Sequence, residues 1–260
     1  MNSNKKDDAS YLQTVGRALT ILEMFRQQNT LSLPSIAKEL GVGKTIAYRL
    51  VHTLTEEGFL IQDPFTKQYS LGEQVLLLGY CAVHRLDVKR IAHDFLWKFH
   101  ERTKISTYLT IPCGNQSLCV DRVVSDNTGR LSSVFVGGVY PLFRGASNRV
   151  LLAFASPQFQ SNYLNSLELA DEEKTQLKED LKAARARGYD ITHNRLTEGL
   201  FAVGFPIYNS ANKLVAGLSV GGVYDLERPD AVEKYIQQGR QLAVEINNQL
   251  GSNYSSRISD

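Results

Sequence analysis

Four polar side chains recur at helical spacing in one short segment, and their chemistry suits contacts with nucleic acid. Thr45, Tyr48, Arg49 and His52 occupy positions i, i+3, i+4 and i+7, and Lys44 precedes them. Side chains of this kind reach base edges in the major groove, where arginine pairs with guanine through two hydrogen bonds. Lys44 and Thr45 lie near the positive end of the helix, which favours a phosphate contact. The pattern predicts a recognition helix, and a solvated helix face is the alternative.

Three consecutive helices are predicted around this segment, between residues 11 and 57. Ser32 or Ser35 caps the second helix, and Gly41 ends it. The first and third helices each carry apolar residues at helical spacing. These residues are Val15, Ala18, Leu19, Leu22 and Phe25 in the first helix, and Ala47, Leu50, Val51 and Leu54 in the third.

A short hairpin is predicted after the third helix. Gly58 ends that helix, and two strand-like runs enclose the turn Asp63-Pro-Phe-Thr-Lys67. Lys67 at the turn is placed to contact backbone phosphate beside the groove. Helices and hairpin together predict a winged helix-turn-helix domain at residues 11–72, and the apolar run after it predicts a linker helix at 73–86.

Composition and charge limit the class of protein. The chain has 260 residues, 43% hydrophobic and 22% charged, which indicates about two globular domains. It contains no run of 18 apolar residues and no secretory signal, so neither a membrane span nor export is expected. The three cysteines, Cys81, Cys113 and Cys119, are too few for a disulfide scaffold and indicate the cytoplasm.

The DNA hypothesis requires more than one copy of the chain. Residues 1–75 carry eight basic and eight acidic side chains, so this part has no net charge. Nonspecific affinity for DNA rests on the neutralisation of phosphates. A single copy is therefore expected to bind weakly, and a dimer that presents two helices to two half-sites compensates.

Strands and helices interleave from residue 87 to residue 251. This pattern predicts an α+β domain with an antiparallel sheet flanked by helices. Asp87 and Ser156 are expected to cap helices, with Pro157 at the first helical position, and Ser147 is expected to begin one. The remaining predicted elements are strands at 105–111, 116–124, 131–136, 189–192, 200–208 and 213–220, and helices at 171–187 and 229–250.

Two motifs resemble catalytic sequences, and neither meets its structural requirement. Gly43-Lys44-Thr45 lacks the glycine that a phosphate-binding loop has five positions earlier, where Lys38 stands. Gly217-Leu-Ser219-Val-Gly221 has the spelling of a nucleophile elbow, but Ser219 falls within a predicted strand and no histidine follows His193. We therefore expect no enzyme. Two alternatives stay open: a small-molecule hydrolase or binding enzyme with an accessory helical domain, and a protein-interaction module.

No metal site or cofactor is predicted. His93 and His100 lie two turns apart on one predicted helix, too far apart to chelate an ion alone. Cys113 and Cys119 lack a second pair at zinc spacing.

Several runs along the chain occur together, in the same order, in one protein family. They are Val15-Gly-Arg-Ala-Leu-Thr-Ile-Leu22, Gly41-Val-Gly-Lys-Thr-Ile-Ala-Tyr-Arg-Leu-Val-His-Thr-Leu-Thr-Glu-Glu-Gly-Phe-Leu60, Tyr69-Ser-Leu-Gly72, Val136-Gly-Gly-Val-Tyr-Pro-Leu142, the segment 146–153, Arg187-Gly-Tyr189, Phe205-Pro-Ile207 and Ala216-Gly-Leu-Ser-Val220. On these runs, which cover nearly the whole chain, the protein resembles the IclR-type transcriptional regulators. The resemblance implies a winged helix-turn-helix followed by a PAS/GAF-like effector-binding domain. It also implies dimers, or dimers of dimers, on palindromic double-stranded DNA operators, and a small organic acid of a catabolic pathway as effector.

The resemblance assigns roles to single residues of the recognition helix. Thr45, Tyr48 and Arg49 stand where the family has its serine, its tyrosine or histidine, and its arginine. Ile46 stands where the family usually has threonine, so one hydroxyl that would contact DNA is absent.

The resemblance also implies an effector site around the loop 143–149. The backbone amides that open the helix near Ser147 are expected to bind a carboxylate, with Arg144 adding charge. Thr192 and Ala202 match a polar position and a frequent pocket cysteine, and the pair Asn194-Arg195 replaces a usual glutamate. The predicted effector residues are Phe143, Arg144, Ala146, Ser147, Thr192 and Ala202. Phe143, Phe201, Val203 and Phe205 indicate an acid with an apolar or aromatic body, unless they are strand packing.

Overall fold

The computed structural model describes residues 10–84, 86–125, 132–193, 200–223 and 229–252 of the chain. The chain divides into two compact units, with the boundary between residues 85 and 86. The elements of the first unit are α1 (Gln13–Met24), α2 (Leu33–Leu40), α3 (Lys44–Glu56), β1 (Leu60–Gln62), β2 (Tyr69–Leu71) and α4 (Glu73–His84).

Local sequence signals set the ends of α2. The Ser32 side chain accepts a hydrogen bond from the backbone N–H of Ser35 at 3.3 Å, so Ser32 is the cap. Gly41 ends the helix in the left-handed region, with φ of 63°, which glycine adopts without strain. The first three helices pack around a shared core in which Ile36 and Val51 are fully buried. The predicted helix-turn-helix is confirmed.

The predicted hairpin forms directly after α3. Strands β1 and β2 pair antiparallel, with Leu60 opposite Leu71 and Gln62 opposite Tyr69. Leu31 adds a short extended segment, because its backbone exchanges hydrogen bonds of 3.0 and 2.8 Å with Tyr69. The hairpin is therefore fastened to the helices as a wing.

Much apolar surface of α1 and α4 is not buried. Phe25 at the end of the α1 stripe is buried, whereas Val15 and Leu19 are exposed, because α2 and α3 cover only one side of that helix. Within α4 the leucines at 76–78 are likewise exposed. The exposed apolar side chains of α1 and α4, with the two residues before α1, are Tyr11, Leu12, Val15, Leu19, Leu76, Leu77, Leu78 and Tyr80.

The second unit is an antiparallel six-stranded sheet flanked by helices, and the predicted α+β class is confirmed. The strands run in the order β5-β4-β3-β8-β7-β6, with every neighbouring pair antiparallel. The elements are α5 (Asp87–Thr103), β3 (Ser106–Cys113), β4 (Gln116–Val123), β5 (Val139–Pro141), α6 (Ala146–Ala153), α7 (Pro157–Ser166), α8 (Asp171–Arg187), β6 (Asp190–His193), β7 (Leu200–Tyr208), β8 (Leu214–Val223) and α9 (Pro229–Gln249).

Helices cover both faces of this sheet. Helices α5 and α9 pack on one face and bury the main core with it, including Leu109, Phe205 and Leu218. Helix α6 packs on the opposite face, and α8 packs against α6. Within the described residues, no helix is long and apolar enough to cross a membrane.

The strand predicted at 131–136 is wrong for the described residues 132–136, which form no strand. Side chains satisfy the backbone of this segment in place of a neighbouring strand. The Tyr140 hydroxyl donates to the Ser133 carbonyl at 3.1 Å and accepts from the Phe135 N–H at 2.9 Å. A guanidinium N–H of Arg122 donates to the Val134 carbonyl. Residue 131 lies outside the described residues.

Two predicted helix starts also differ from the structure. Asp87 is the first residue of α5 rather than its cap, because its carboxylate lies 3.5 Å from the Arg90 guanidinium instead of accepting a backbone N–H. Helix α6 begins at Ala146, one residue before Ser147, because Gly145 with φ of 82° turns the chain into the helix.

Candidate functional site

The polar face predicted for α3 is on the surface of the first unit. Its predicted DNA-contacting residues, Lys44, Thr45, Tyr48, Arg49 and His52, are all exposed. The opposite face is buried, which fixes the direction in which the polar side chains point. The rings of Tyr48 and His52 pack edge to face, with centroids 5.7 Å apart. No ion pair within the described residues engages Lys44 or Arg49, so both cations are available to an external anion.

The wing presents a rigid turn beside this unit's helices. The Asp63 carboxylate accepts the N–H groups of Phe65 at 2.9 Å and Thr66 at 2.6 Å. These hydrogen bonds hold the pKa of Asp63 below its usual value. Lys67, the predicted phosphate contact, is exposed and has a left-handed backbone with φ of 58°. Phe65 at the tip is 92% exposed, and the sequence reasoning did not single it out.

A second candidate site lies in the second unit, on the sheet face that α6 covers. Along β8 the residues alternate, because Leu218 and Val220 belong to the core under α9 while Gly217, Ser219 and Gly221 occupy the other face. A Cβ added at Gly217 would lie 2.9 Å from the Ser147 carbonyl carbon, which belongs to the backbone of α6. These small residues therefore let the start of α6 approach the sheet and leave space beside it.

That space is a pocket of about 580 Å³, counted out to its open mouth. Four of the six predicted effector residues line it: Ala146, Ser147, Thr192 and Ala202. Thr192 and Ala202 face each other in the register of β6 and β7, which explains how distant positions meet. The described lining consists of hydroxyl, amide, aromatic and aliphatic groups. It comprises Tyr108, Thr110, Ser132, Val134, Tyr140, Gly145, Ala146, Ser147, Asn148, Thr192, Leu200, Phe201, Ala202, Ser219, Gly221 and Gly222.

The N-terminus of α6 opens into this pocket. Gly145, the residue before the helix, has no side chain to cap it, and residues 145–148 line the pocket, so the helix N–H groups without a capping side chain belong to the pocket lining. Two anchors hold this turn in place. Asn148 accepts from the Ser117 hydroxyl at 2.7 Å and donates to the Arg144 carbonyl at 2.8 Å. The resulting array of fixed N–H donors suits a carboxylate.

A buried ion pair ties α6 to strand β6. The Arg149 Nε lies 2.6 Å from a carboxylate oxygen of Asp190, and the guanidinium also reaches Asp180 at 3.1 Å. Burial raises the pKa of Asp190, while the guanidinium groups of Arg149 and Arg187 oppose that rise. The pair joins the helix that begins at the pocket to the strand that carries Thr192.

The other predicted effector residues lie elsewhere. Phe143 and Arg144 line a separate cavity beside α8, where the Arg144 guanidinium lies 5.2 Å from the Phe143 ring centroid. Gly145 directs the chain away from them, so their side chains do not line the first pocket. Val203 and Phe205 belong to the core under α9, so they are strand packing. Asn194 and Arg195 lie outside the described residues.

The catalytic and metal motifs do not assemble. Ser219 lies in the middle of β8, paired with Tyr108 on one side and Gly204 on the other, so it is not on a strand-to-helix turn. His93 contacts Asp121 at 2.8 Å and His100 contacts the Ile105 carbonyl at 2.9 Å. Within the described part of the chain, no group of three or more histidine, cysteine or acidic side chains is placed to hold a metal ion.

Sequence reasoning missed several pocket residues, above all Tyr108 and Tyr140 on the sheet. Tyr108 lies in none of the quoted motifs, and Tyr140 lies in the run 136–142 without being singled out there. The alternation of small and large residues in 217–221 was a usable signal, because it indicates a sheet face that another backbone approaches closely.

Comparison with known protein families and structures agrees with both units. A model of the IclR helix-turn-helix domain matches residues 14–64, and a model of the C-terminal domain of bacterial IclR transcriptional regulators matches residues 80–248. The chain belongs to the IclR family of bacterial transcriptional regulators. The resemblance inferred from the sequence motifs is therefore confirmed.

Individual relatives cover nearly the whole of this IclR-family chain. It is 27% identical over 247 residues to the HTH-type transcriptional regulator KipR of Bacillus subtilis, covering 92% of this chain and 97% of that protein. The crystal structure of the Thermotoga maritima IclR has a TM-score of 0.65 at 27% identity, covering 93% and 100% of the two chains. An IclR homologue from Microbacterium hydrocarbonoxydans, solved in complex with 4-hydroxybenzoate, has the same fold, with a TM-score of 0.77 at 20% identity and coverage of 91% and 98%.

Proposed function

We propose that this chain is a sequence-specific DNA-binding regulator that controls a catabolic operon in response to a small carboxylic acid. The exposed polar face of α3 carries the proposal. Thr45, Tyr48 and Arg49 contact base edges, and Lys44 contacts phosphate where the helix begins. His52 supports the ring of Tyr48 and extends the same face.

The wing adds a second contact with the DNA backbone. Lys67 lies at its tip on a turn that Asp63 makes rigid, so its ammonium group is directed from a fixed position. Such a contact strengthens binding to every sequence alike and does not select a site.

The active form is a homodimer or a dimer of dimers on a palindromic operator. The balanced charge of residues 1–75 makes a single copy a weak DNA binder. The exposed apolar side chains of α1 and α4 offer a surface that a second copy buries. Two recognition helices then contact two half-sites.

The pocket beside α6 binds the effector. Its helix N–H groups take the carboxylate, Ser147 and Thr192 add hydroxyl hydrogen bonds, and Ala202 leaves room for the ligand body. The related Microbacterium protein holds an aromatic acid, 4-hydroxybenzoate, which supports this ligand class. Effector binding shifts the population between states that do and do not fit the operator. This function requires no catalysis, metal or cofactor. We expect the protein to act in the cytoplasm.

Fluorescence anisotropy with the DNA upstream of the chain's own gene tests the proposal. Arg49→Ala is compared with Lys98→Ala, which removes the same charge from an exposed position on α5 in the other unit. Arg49→Ala is expected to weaken specific binding about ten- to a hundredfold, the loss of one good base contact. Lys98→Ala is expected to change it less than about twofold. Equal effects of both variants, or no preference for this DNA over scrambled DNA, would contradict the proposed function.

A further inference from the structure

The tip of the wing carries the most exposed large hydrophobic side chain of the described residues. Phe65 is 92% exposed, and the next in order, Leu76, is 74% exposed. Phenylalanine side chains usually contribute a large apolar area to a core or an interface, and Phe65 contributes almost none to the core of its own unit. Single exposed apolar residues are common on protein surfaces, so what matters is how this one is held.

The turn that carries Phe65 is fixed by hydrogen bonds on both sides of it. The Asp63 carboxylate accepts the N–H groups of Phe65 and Thr66. The Asp63 N–H donates to the Gln68 carbonyl at 2.9 Å, and the Lys67 N–H donates to the Asp63 carbonyl at 3.0 Å. The backbone at the tip therefore has little freedom to lose when the ring contacts a partner, which lowers the entropic cost of binding.

Charge and position indicate that the partner of Phe65 is DNA. Lys67 is exposed on the same turn, whereas the carboxylate of Asp63 is already engaged by backbone N–H groups. The wing belongs to the same compact unit as α3, and Leu60 at its base shares a core with Leu54 of that helix. Three residues of strand separate Leu60 from the turn, so the tip lies about 10 Å from this core. When α3 lies in the major groove, a projection of this length reaches across one phosphate backbone to the adjoining minor groove.

We propose that Phe65 is a wedge that enters the minor groove of the operator, partly unstacks one base step and bends the DNA. This inference rests on the proposed function, in which α3 contacts bases in the major groove. Architectural proteins that bind the minor groove insert phenylalanine and other apolar side chains in this way. Unstacking is easiest at the flexible base steps TA and CA/TG. The wing therefore selects a flexible step that α3 does not contact, while Lys67 binds the phosphate beside it.

Permanganate oxidation of the DNA upstream of the chain's own gene tests the wedge directly. Permanganate attacks thymines that are unstacked, and each of the flexible steps TA and CA/TG has a thymine on at least one strand. The full-length wild type is expected to make thymines beside each half-site reactive, and Phe65→Ala is expected to lose this reactivity. Ile61→Ala, the matched control, removes another exposed apolar side chain of the wing, away from the tip, and is expected to retain it. A wild-type complex without reactive thymines, or equal reactivity with Phe65→Ala, would overturn the proposal.

The bend in the DNA provides a second readout. From the gel mobility of circularly permuted fragments, the wild type is expected to bend the DNA by about 20–90°, and Phe65→Ala by less. Phe65→Ala changes no charge, so the salt dependence of its binding is expected to equal that of the wild type. Lys67→Ala is expected to reduce the salt slope by about one for each bound copy. An unchanged bend with Phe65→Ala would refute the wedge.

Sedimentation of the DNA-free chain distinguishes the wedge from a contact between copies. Because Phe65 is exposed, Phe65→Ala is expected to fold as the wild type does and to have the same oligomeric state. A change in oligomeric state would assign Phe65 to a protein interface and would overturn the proposal. In each of these failures the wild type still binds its operator and Arg49→Ala still weakens binding, whereas failure of the proposed function abolishes specific binding itself.

Discussion

Replacing Gly217 by alanine should disrupt the contact between α6 and the sheet. The added Cβ would lie 2.9 Å from the Ser147 carbonyl carbon and closer still to its oxygen. Carbon atoms normally approach to about 3.5–4.0 Å, so the first turn of α6 must move by at least about 0.6 Å. The obstacle is backbone rather than a flexible side chain, and Asn148 and Arg149 hold that backbone in place.

The expected cost follows from this displacement. Overpacking of a well-packed contact costs about 1–3 kcal/mol, which for a unit of this size lowers Tm by about 3–10 °C. Scanning calorimetry of the full chain measures this shift. The same movement displaces the N–H donors of α6, so affinity for a carboxylate ligand should fall about tenfold, the value of roughly one hydrogen bond.

Gly43→Ala is the matched control. An added Cβ at Gly43, the residue before α3, meets no atom within 4 Å, and its φ of −64° suits alanine. The stabilisation that alanine gives at such a position offsets the small loss of a preferred cap residue, so Tm should stay within about 2 °C of the wild type. A Gly217→Ala protein as stable as Gly43→Ala would refute the close packing of α6 on β8.

Three further predictions concern buried or constrained side chains. Asp190→Ala should lower the free energy of unfolding by about 3–5 kcal/mol, measured by urea denaturation, because Arg149 then stays buried without its nearest carboxylate. A decrease below about 1 kcal/mol would contradict this. Burial raises the pKa of the Cys119 thiol to about 11. At pH 8 a thiol reagent should therefore label the exposed Cys113 at once and the buried Cys119 only after unfolding. Mass spectrometry of the labelled chain measures this difference. The pKa of Asp63 is held below its usual value of 3.8. The hydrogen bonds that its carboxylate accepts in the wing are therefore present above pH 3.8 and are lost as the pH falls through the lowered pKa and the carboxylate is protonated. An NMR titration that gives a pKa of 3.8 or more for Asp63 would contradict this.

The exposed polar face of α3, the proposed DNA-contacting surface, was predictable because it depends on a local pattern. One helical period places the apolar residues of α3 on one side and Thr45, Tyr48 and Arg49 on the other. Capping by Ser32 and the left-handed Gly41 are also local signals, so the helices around α3 could be placed from sequence. The exposure of Val15 and Leu19 could not, because it depends on which sides of α1 the other helices reach.

The proposed effector pocket was less predictable because it depends on strand register. Tyr108 meets Ser219 only through the pairing of β3 with β8, which joins positions far apart along the chain. The sequence prediction placed Arg144 in this pocket wrongly for a local reason. Gly145, with φ of 82°, turns the chain so that Arg144 and Ser147 are separated in space. A glycine at that position does not by itself reveal which way the chain turns.

In the proposed effector pocket, the groups assigned to the carboxylate belong to the main chain, and this affects how such a regulator diversifies. Substitution cannot remove a backbone N–H of Ala146 or Ser147 unless it introduces proline. Side chains such as Tyr108, Thr192 and Ala202 line the rest of the pocket, where single substitutions change its size and hydrogen bonding. If the pocket binds its effector as proposed, a descendant of this chain can acquire a new effector in small steps while it continues to recognise acids, since the two properties are encoded in separate parts of the polypeptide.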